Sequence, residues 1–264
     1  MIYFEHLPLD KNILKTLAEL KIDYVFQPIF LPDGKTIYAR EALMRPEGKT
    51  VVELIEEYIK RDELHVLEVA TFWGATQAYL LRGYTEKLSV NSFPCESFSK
   101  DEVKVYIDYF GSDKNVLIIE SLEYPSFDLT KLMLKKEHAL VGNSQLAMDD
   151  YGVGFNDMDM VKLWEPQIVK IDRSLLSGLD QDVNKQANCK DIIEKMHAMG
   201  KKVVAEGVET KEEFDCLVSM GADLFQGYYA GGFQVRSRSG HGRFRCSCNP
   251  YPRRSCFNKQ GIAV

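Results

Sequence analysis

Asp149 and Asp150 stand side by side at the end of a short apolar run, Leu146-Ala-Met, and are followed by Gly152 and Gly154. Adjacent carboxylates repel each other and are costly to bury, so the pair needs water or cations around it. Two readings stay open on this stretch alone. One is a divalent-metal site where a strand ends; the other is a turn capped by Asp150, with the glycines supplying positive φ.

Similar residues recur down the chain: Glu41, Asn91, Glu120 and Glu206 each follow an apolar run, as does Lys170. Each has an ordinary alternative. Asn91 suits a helix N-cap, Glu41 and Glu120 suit solvated loops, and Lys170 can extend to solvent from a strand end. Taken together, Glu41, Asn91, Glu120, Asp149, Asp150 and Glu206 offer carboxylate and amide oxygens, with no histidine or cysteine among them. Hard oxygen donors suit Mg²⁺ or Mn²⁺ and argue against zinc or copper. Five carboxylates exceed what one ion needs, and paired metals are the usual apparatus for in-line attack on a phosphodiester. A lysine beside them can orient water or offset developing charge. The pattern alone points to a metal-dependent phosphoester hydrolase.

These residues require a scaffold that brings strand ends together. Leu88-Ser-Val leads to Asn91, Val116-Leu-Ile-Ile to Glu120, Gln167-Ile-Val to Lys170, Lys202-Val-Val-Ala to Glu206, and Ala222-Asp-Leu-Phe to Gln226. The landmarks recur roughly every 20 to 36 positions, near the length of a strand plus crossover helix. Helical spacing is expected over 102–110, 129–136, 156–163, 185–199 and 211–220, the last opened by a Thr210-Lys-Glu-Glu213 capping box. Upstream, a helix at 11–20 precedes strands at 24–30 and 36–40, joined by the turn signal Pro32-Asp-Gly34 and therefore antiparallel. Helices at 51–60 and 64–81 follow. The sum is an α/β chain, first of all a closed barrel of parallel strands with helices outside, whose reactive residues gather at one mouth.

The 264 residues suffice for one barrel, and no apolar run is long enough to span a membrane. The start shows no secretory signal, so a cytoplasmic location is expected. All 39 acidic residues but only 26 of the 33 basic ones lie in residues 1–232. Such an acidic body makes a nucleic-acid polymer a poor partner. Residues 233–264 differ in kind: basic, free of acid, and holding three of the six cysteines. They are read as a separate, disordered tail. A zinc cluster of His241, Cys246, Cys248 and Cys256 is the lesser alternative, because no Cys-x-x-Cys knuckle is present.

The motifs also carry a family likeness. Glu41-Ala-Leu-Met-Arg45 resembles the signature of the EAL domain, the phosphodiesterase of cyclic di-GMP, and further motifs follow in that family's order. They are Tyr24-Val-Phe-Gln-Pro-Ile, Leu88-Ser-Val-Asn91, Ile118-Ile-Glu-Ser-Leu-Glu123, Asp149-Asp-Tyr-Gly-Val-Gly-Phe, Val169-Lys-Ile-Asp-Arg-Ser174, Val204-Ala-Glu-Gly-Val-Glu-Thr210 and Gln226-Gly-Tyr228. The resemblance implies a (β/α)8 TIM-like barrel with one antiparallel strand, hydrolysing cyclic di-GMP to linear pGpG with two Mg²⁺ or Mn²⁺ ions. It implies that Glu41, Asn91, Glu120 and Asp149 hold one metal, with Asp149 bridging to a second that Asp150 helps bind. Lys170 and Glu206 would position or deprotonate the water, and Leu43 and Arg45 would contact substrate. Gln226 would support the site, Glu123 would anchor the loop after Asp150, and a homodimer is expected. The chain departs from the family pattern at Leu122, at loop positions Val153, Asn156 and Asp157, and beyond Gly232, where a closing helix is replaced.

Overall fold

The computed structural model describes residues 2–111, 117–122, 128–154 and 156–227. Eight strands form a closed barrel in sequence order. They are β1 (Ile22–Phe30), β2 (Ile37–Pro46), β3 (Lys87–Ser92), β4 (Leu117–Ser121), β5 (Gln145–Tyr151), β6 (Ile168–Ile171), β7 (Lys202–Glu206) and β8 (Leu224–Gln226). β1 runs antiparallel to both neighbours, while β2 through β8 pair in parallel. The expected barrel with one antiparallel strand is what the chain forms. Among the described residues β1 meets β8 only at Phe30↔Phe225, so it is nearly an edge strand, where Pro28 is tolerated.

Helices α1 (Lys11–Leu17), α2 (Val51–Lys60), α3 (Leu64–Val69) and α4 (Ala75–Leu81) precede β3. Around the later strands come α5 (Lys100–Phe110), α6 (Leu129–Val141), α7 (Met158–Trp164), α8 (Arg173–Leu176), α9 (Val183–Ala198) and α10 (Lys211–Ser219). Several boundaries differ from the sequence reading. β2 runs six residues past Arg40, because its antiparallel partner keeps pairing as far as Ile22↔Pro46. The helix expected over 64–81 is broken by a π turn, Ala70–Gly74, where the Tyr24 hydroxyl donates to Ala70 O at 2.8 Å. Gly74 faces that same ring: a Cβ there would stand 2.8 Å from the tyrosine oxygen.

The capping box expected at Thr210 forms only by half. Thr210 Oγ1 accepts from Glu213 N, but the Glu213 carboxylate instead accepts the N–H groups of Gly178 and Glu209. Complete boxes form at Thr50/Glu53 and Ser99/Glu102.

Two apolar layers hold the barrel. A large cluster lies between strands and helices, with Trp73, Trp164, Tyr79 and Phe225 buried. A second, smaller cluster fills the barrel interior: Ile29, Ala39, Ile118, Ala147, Ile168, Val204 and Leu224. Side chains two positions apart in a strand share a face, so the next inward layer holds Glu41, Glu120, Asp149, Lys170, Glu206 and Gln226. An apolar floor thus seals the barrel one residue layer below the polar one. No helix among the described residues is long and apolar enough to cross a membrane. The tail 233–264, with its possible zinc cluster and replaced closing helix, lies outside the described residues, as does Glu123.

Candidate active site

Lys170 occupies the middle of the polar layer. Its Nζ lies 2.7 Å from Glu120 Oε2, 2.7 Å from Glu206 Oε1, 2.9 Å from Asp149 Oδ1 and 3.4 Å from Glu41 Oε2. The lysine comes from β6, and each of the four carboxylates from a different strand. Burial works against the ammonium, but the surrounding carboxylates outweigh it and hold the lysine well above its ordinary range.

The carboxylates divide according to their partners. Burial, then the neighbouring Glu41 charge, pushes Glu120 up to about 8. Burial likewise raises Asp149, and raises Glu206 well above the usual carboxylate range. Glu41 is lowered: burial opposes its ionisation, but Lys170, Gln226 and Asn91 together overcome that penalty. Asn91 Nδ2 donates to Glu41 Oε1 at 3.0 Å, and Gln226 Nε2 donates to Glu41 Oε2 at 2.6 Å.

Both amides therefore spend their nitrogens on Glu41, leaving their oxygens over. Among the described residues Asn91 Oδ1 and Gln226 Oε1 are buried with no hydrogen-bond donor, and Asp149 Oδ1 has only the Lys170 ammonium beside it. Buried acceptors are rarely left without a donor, and a cation satisfies them. One oxygen each from Asp149, Asp150 and Glu206 also lie within 4.8 Å of one another. Five carboxylates and one lysine leave four formal negative charges, matching two divalent cations. On donor type, orphaned oxygens and charge, the residues present fit hard divalent metals.

The backbone at Asp149–Asp150 explains how adjacent residues can face a common space. Strand pairing to β6 breaks between Met148 and Tyr151, and Asp150 adopts φ 48°, the left-handed region that aspartate tolerates. Gly152 and Gly154 have φ of 94° and 57°, so the expected glycine turn is present alongside the clustered carboxylates. Asn156 closes this loop: its Nδ2 donates to Asp149 O at 2.7 Å, while Gly152 N donates to Asn156 O. The position that marked a departure from the family pattern is therefore structural here. Asp157 caps α7, accepting from Asp159 N and Met160 N.

Leu43 and Arg45 follow Glu41 along β2, past its last pairing with β3. Arg45 is exposed and donates to Met44 O at 2.9 Å. Ser89 went unnoticed in the sequence reading. It is fully buried, in register with Glu41, and its Oγ donates to Glu120 Oε1 at 2.5 Å. The available signal was its spacing, two residues before Asn91 on the same strand.

Known proteins resemble the chain in sequence and in fold. Residues 10–232 match the model of the EAL domain. The chain is 26% identical over 232 residues to the cyclic di-GMP phosphodiesterase TpdA of Vibrio parahaemolyticus, covering 87% of this chain and 40% of that protein. It is 27% identical over 144 residues to the cyclic di-GMP phosphodiesterase PdeL of Escherichia coli, covering 53% of this chain and 39% of that one. It therefore spans well under half the length of either relative. In fold it resembles a standalone EAL protein of Vibrio cholerae in its c-di-GMP-bound form, with TM-score 0.70 and 24% identity over 80% of this chain and 91% of that one. Klebsiella pneumoniae BlrP1 in complex with manganese and cyclic di-GMP gives TM-score 0.66 and 27% identity over 79% of this chain and 55% of that one. With the family's sequence pattern running through the whole barrel, this chain belongs to the EAL domain family.

Proposed function

We propose that this chain is a phosphodiesterase that hydrolyses cyclic di-GMP to linear pGpG with Mg²⁺ or Mn²⁺. The observation that carries the reading is the convergence of four carboxylates on one buried lysine, with two amide oxygens left over beside them, within a barrel of this family. Glu41, Asn91, Glu120 and Asp149 would hold one ion. Asp149 would be shared with a second, held further by Asp150. Bound divalent ions lower the pKa of water and neutralise the charge of the phosphodiester.

The chain's own groups supply the rest. Lys170 stays protonated among its carboxylates and is placed to orient the attacking water. Glu206, 2.7 Å from the Lys170 ammonium, is placed to accept that water's proton as a general base. Gln226 fixes Glu41 from β8, and Ser89 fixes Glu120 from β3. Leu43 would pack against the nucleotide, and the exposed Arg45 guanidinium would pair with its phosphate. A homodimer in the cytoplasm completes the reading. Sedimentation of the full chain tests the first of these, and a monomer with full activity removes it.

Chromatographic assay of cyclic di-GMP turnover, with and without Mn²⁺, tests the activity. Metal-dependent pGpG formation is expected, with turnover lost in Glu41→Ala and Lys170→Ala. Binding without turnover would make the chain a receptor for the nucleotide instead. Neither binding nor turnover would overturn the proposal.

A further inference from the structure

A second buried charge cluster lies on the outer side of β3, where Ser92 follows Asn91 and points to the opposite face of the sheet. Ser92, Glu68 and Lys135 are all buried there, with relative exposures of 0%, 1% and 4%. Ser92 Oγ donates to Glu68 Oε1, and Lys135 Nζ donates to Ser92 Oγ at 2.5 Å and to Phe93 O at 2.7 Å. Phe93 N donates to Glu68 Oε2 at 3.1 Å, and the two charged side chains lie 3.4 Å apart. Three residues further along, Glu96 meets His65 Nδ1 at 3.4 Å and Lys131 Nζ at 3.1 Å.

The partners follow helical spacing. His65 and Glu68 are three residues apart on α3, and Lys131 and Lys135 are four apart on α6, so each helix turns one face to this segment. Glu68 sits just before the π turn fixed by Tyr24. Ser92 O also accepts from Leu122 N at 3.2 Å, which ties the end of β3 to the end of β4, two residues beyond Glu120. The segment after Asn91 is thus held at both backbone and side chain by groups that never enter the barrel.

A buried ion pair is a poor way to gain stability, since its desolvation offsets most of its attraction. It does fix geometry. We propose that Ser92, Glu68 and Lys135 are positioning residues for the metal centre: they lock the end of β3 so that the Asn91 amide presents Oδ1 to the cation while Nδ2 holds Glu41. This rests on the metal-centre reading above. None of the three touches substrate or metal.

The test is Mn²⁺ titration calorimetry of the full chain without substrate, alongside melting temperature and the separate kcat and KM of turnover. Ser92→Ala removes only the bridging hydroxyl. The double variant Glu68→Gln with Lys135→Met removes both charges at similar volume, so neither leaves an unpaired buried ion. Each is expected to weaken Mn²⁺ binding on the order of tenfold, as loss of groups that orient ligands does. KM for the nucleotide should change little at saturating Mn²⁺. Ile193→Val, a core truncation on α9, is the control: it should lower the melting temperature and leave Mn²⁺ affinity unchanged. Should the double variant fail to fold, Ser92→Ala decides alone. Wild-type Mn²⁺ affinity in Ser92→Ala, or an equal loss in Ile193→Val, overturns the positioning role. Absence of Mn²⁺ binding to the wild-type chain overturns the metal centre itself, and this inference with it.

Discussion

The Lys170 ammonium lies 2.7 Å from the Glu120 carboxylate, and both side chains are buried at the centre of the barrel. Around them stand three more carboxylates, so a single cation offsets several anions in a space that water hardly reaches. Removing one partner of such a set leaves uncompensated buried charge, at a cost of about 3–5 kcal/mol. Lys170→Met is therefore expected to lose that much stability in chelator, with part of it restored by Mn²⁺, which would take over the ammonium's counter-charge. Thermal denaturation with EDTA and with Mn²⁺ checks this, and a melting temperature indifferent to metal would contradict it.

Asp150 offers a cleaner separation of charge from structure. Its φ of 48° suits asparagine as well as aspartate, so Asp150→Asn removes a charge without straining the backbone. Affinity for hard cations depends on ligand charge. The variant should keep its melting temperature in chelator and need at least about tenfold more metal for half-maximal turnover. An unchanged metal requirement would remove Asp150 from the second ion.

Gly227 places Gln226 by close backbone contact. A Cβ at Gly227 would stand 2.3 Å from Val208 O and 2.5 Å from Val208 N, where the Val208 N–H donates to Gln226 O. Backbone atoms cannot yield as a side-chain tip can. Gly227→Ala should cost about 1–3 kcal/mol, a fall of roughly 3–10 °C in melting temperature. Turnover should fall as well, since Gln226 would no longer reach Glu41. Wild-type melting would show that the loop after β7 moves aside freely.

His65 makes stability depend on pH. Hydrogen bonds that its ring donates to the carboxylates of Glu102 and then Glu96 raise it from 6.5 to about 9. A raised histidine contributes fully below its unfolded pKa and loses that contribution as pH climbs through the folded value. The wild-type chain should therefore lose roughly 1 kcal/mol between pH 6.5 and 9, allowing for solvent screening of a ring about one-third exposed. In His65→Gln this dependence should flatten. Urea denaturation at pH 6, 7.5 and 9 provides the measurement, and parallel curves for both proteins would rule the histidine out.

Much of the site could be read from the chain because inward residues of a strand recur every second position. Ile118 then Glu120, Ala147 then Asp149, Ile168 then Lys170, Val204 then Glu206: each pair writes the floor and the polar layer in order. Glycine spacing after Asp150 announced the turn correctly. The helix over 64–81 was read without its π turn, because the bulge depends on Tyr24, some 46 positions away.

Local pattern thus determined which residues enter the barrel, and the chemical character of the donors they supply. What each donor touches was decided only by closure of the barrel. Asn91 and Glu41 are 50 positions apart, Gln226 and Glu41 185, and Lys170 and Glu41 129. Whether an amide spends its nitrogen or its oxygen, and which carboxylate is raised or lowered, follows from these long-range approaches. The ties among Ser92, Glu68 and Lys135 belong to the same class. In sequence they are an ordinary serine and two ordinary helix charges, and only burial between β3 and its two helices makes them a unit.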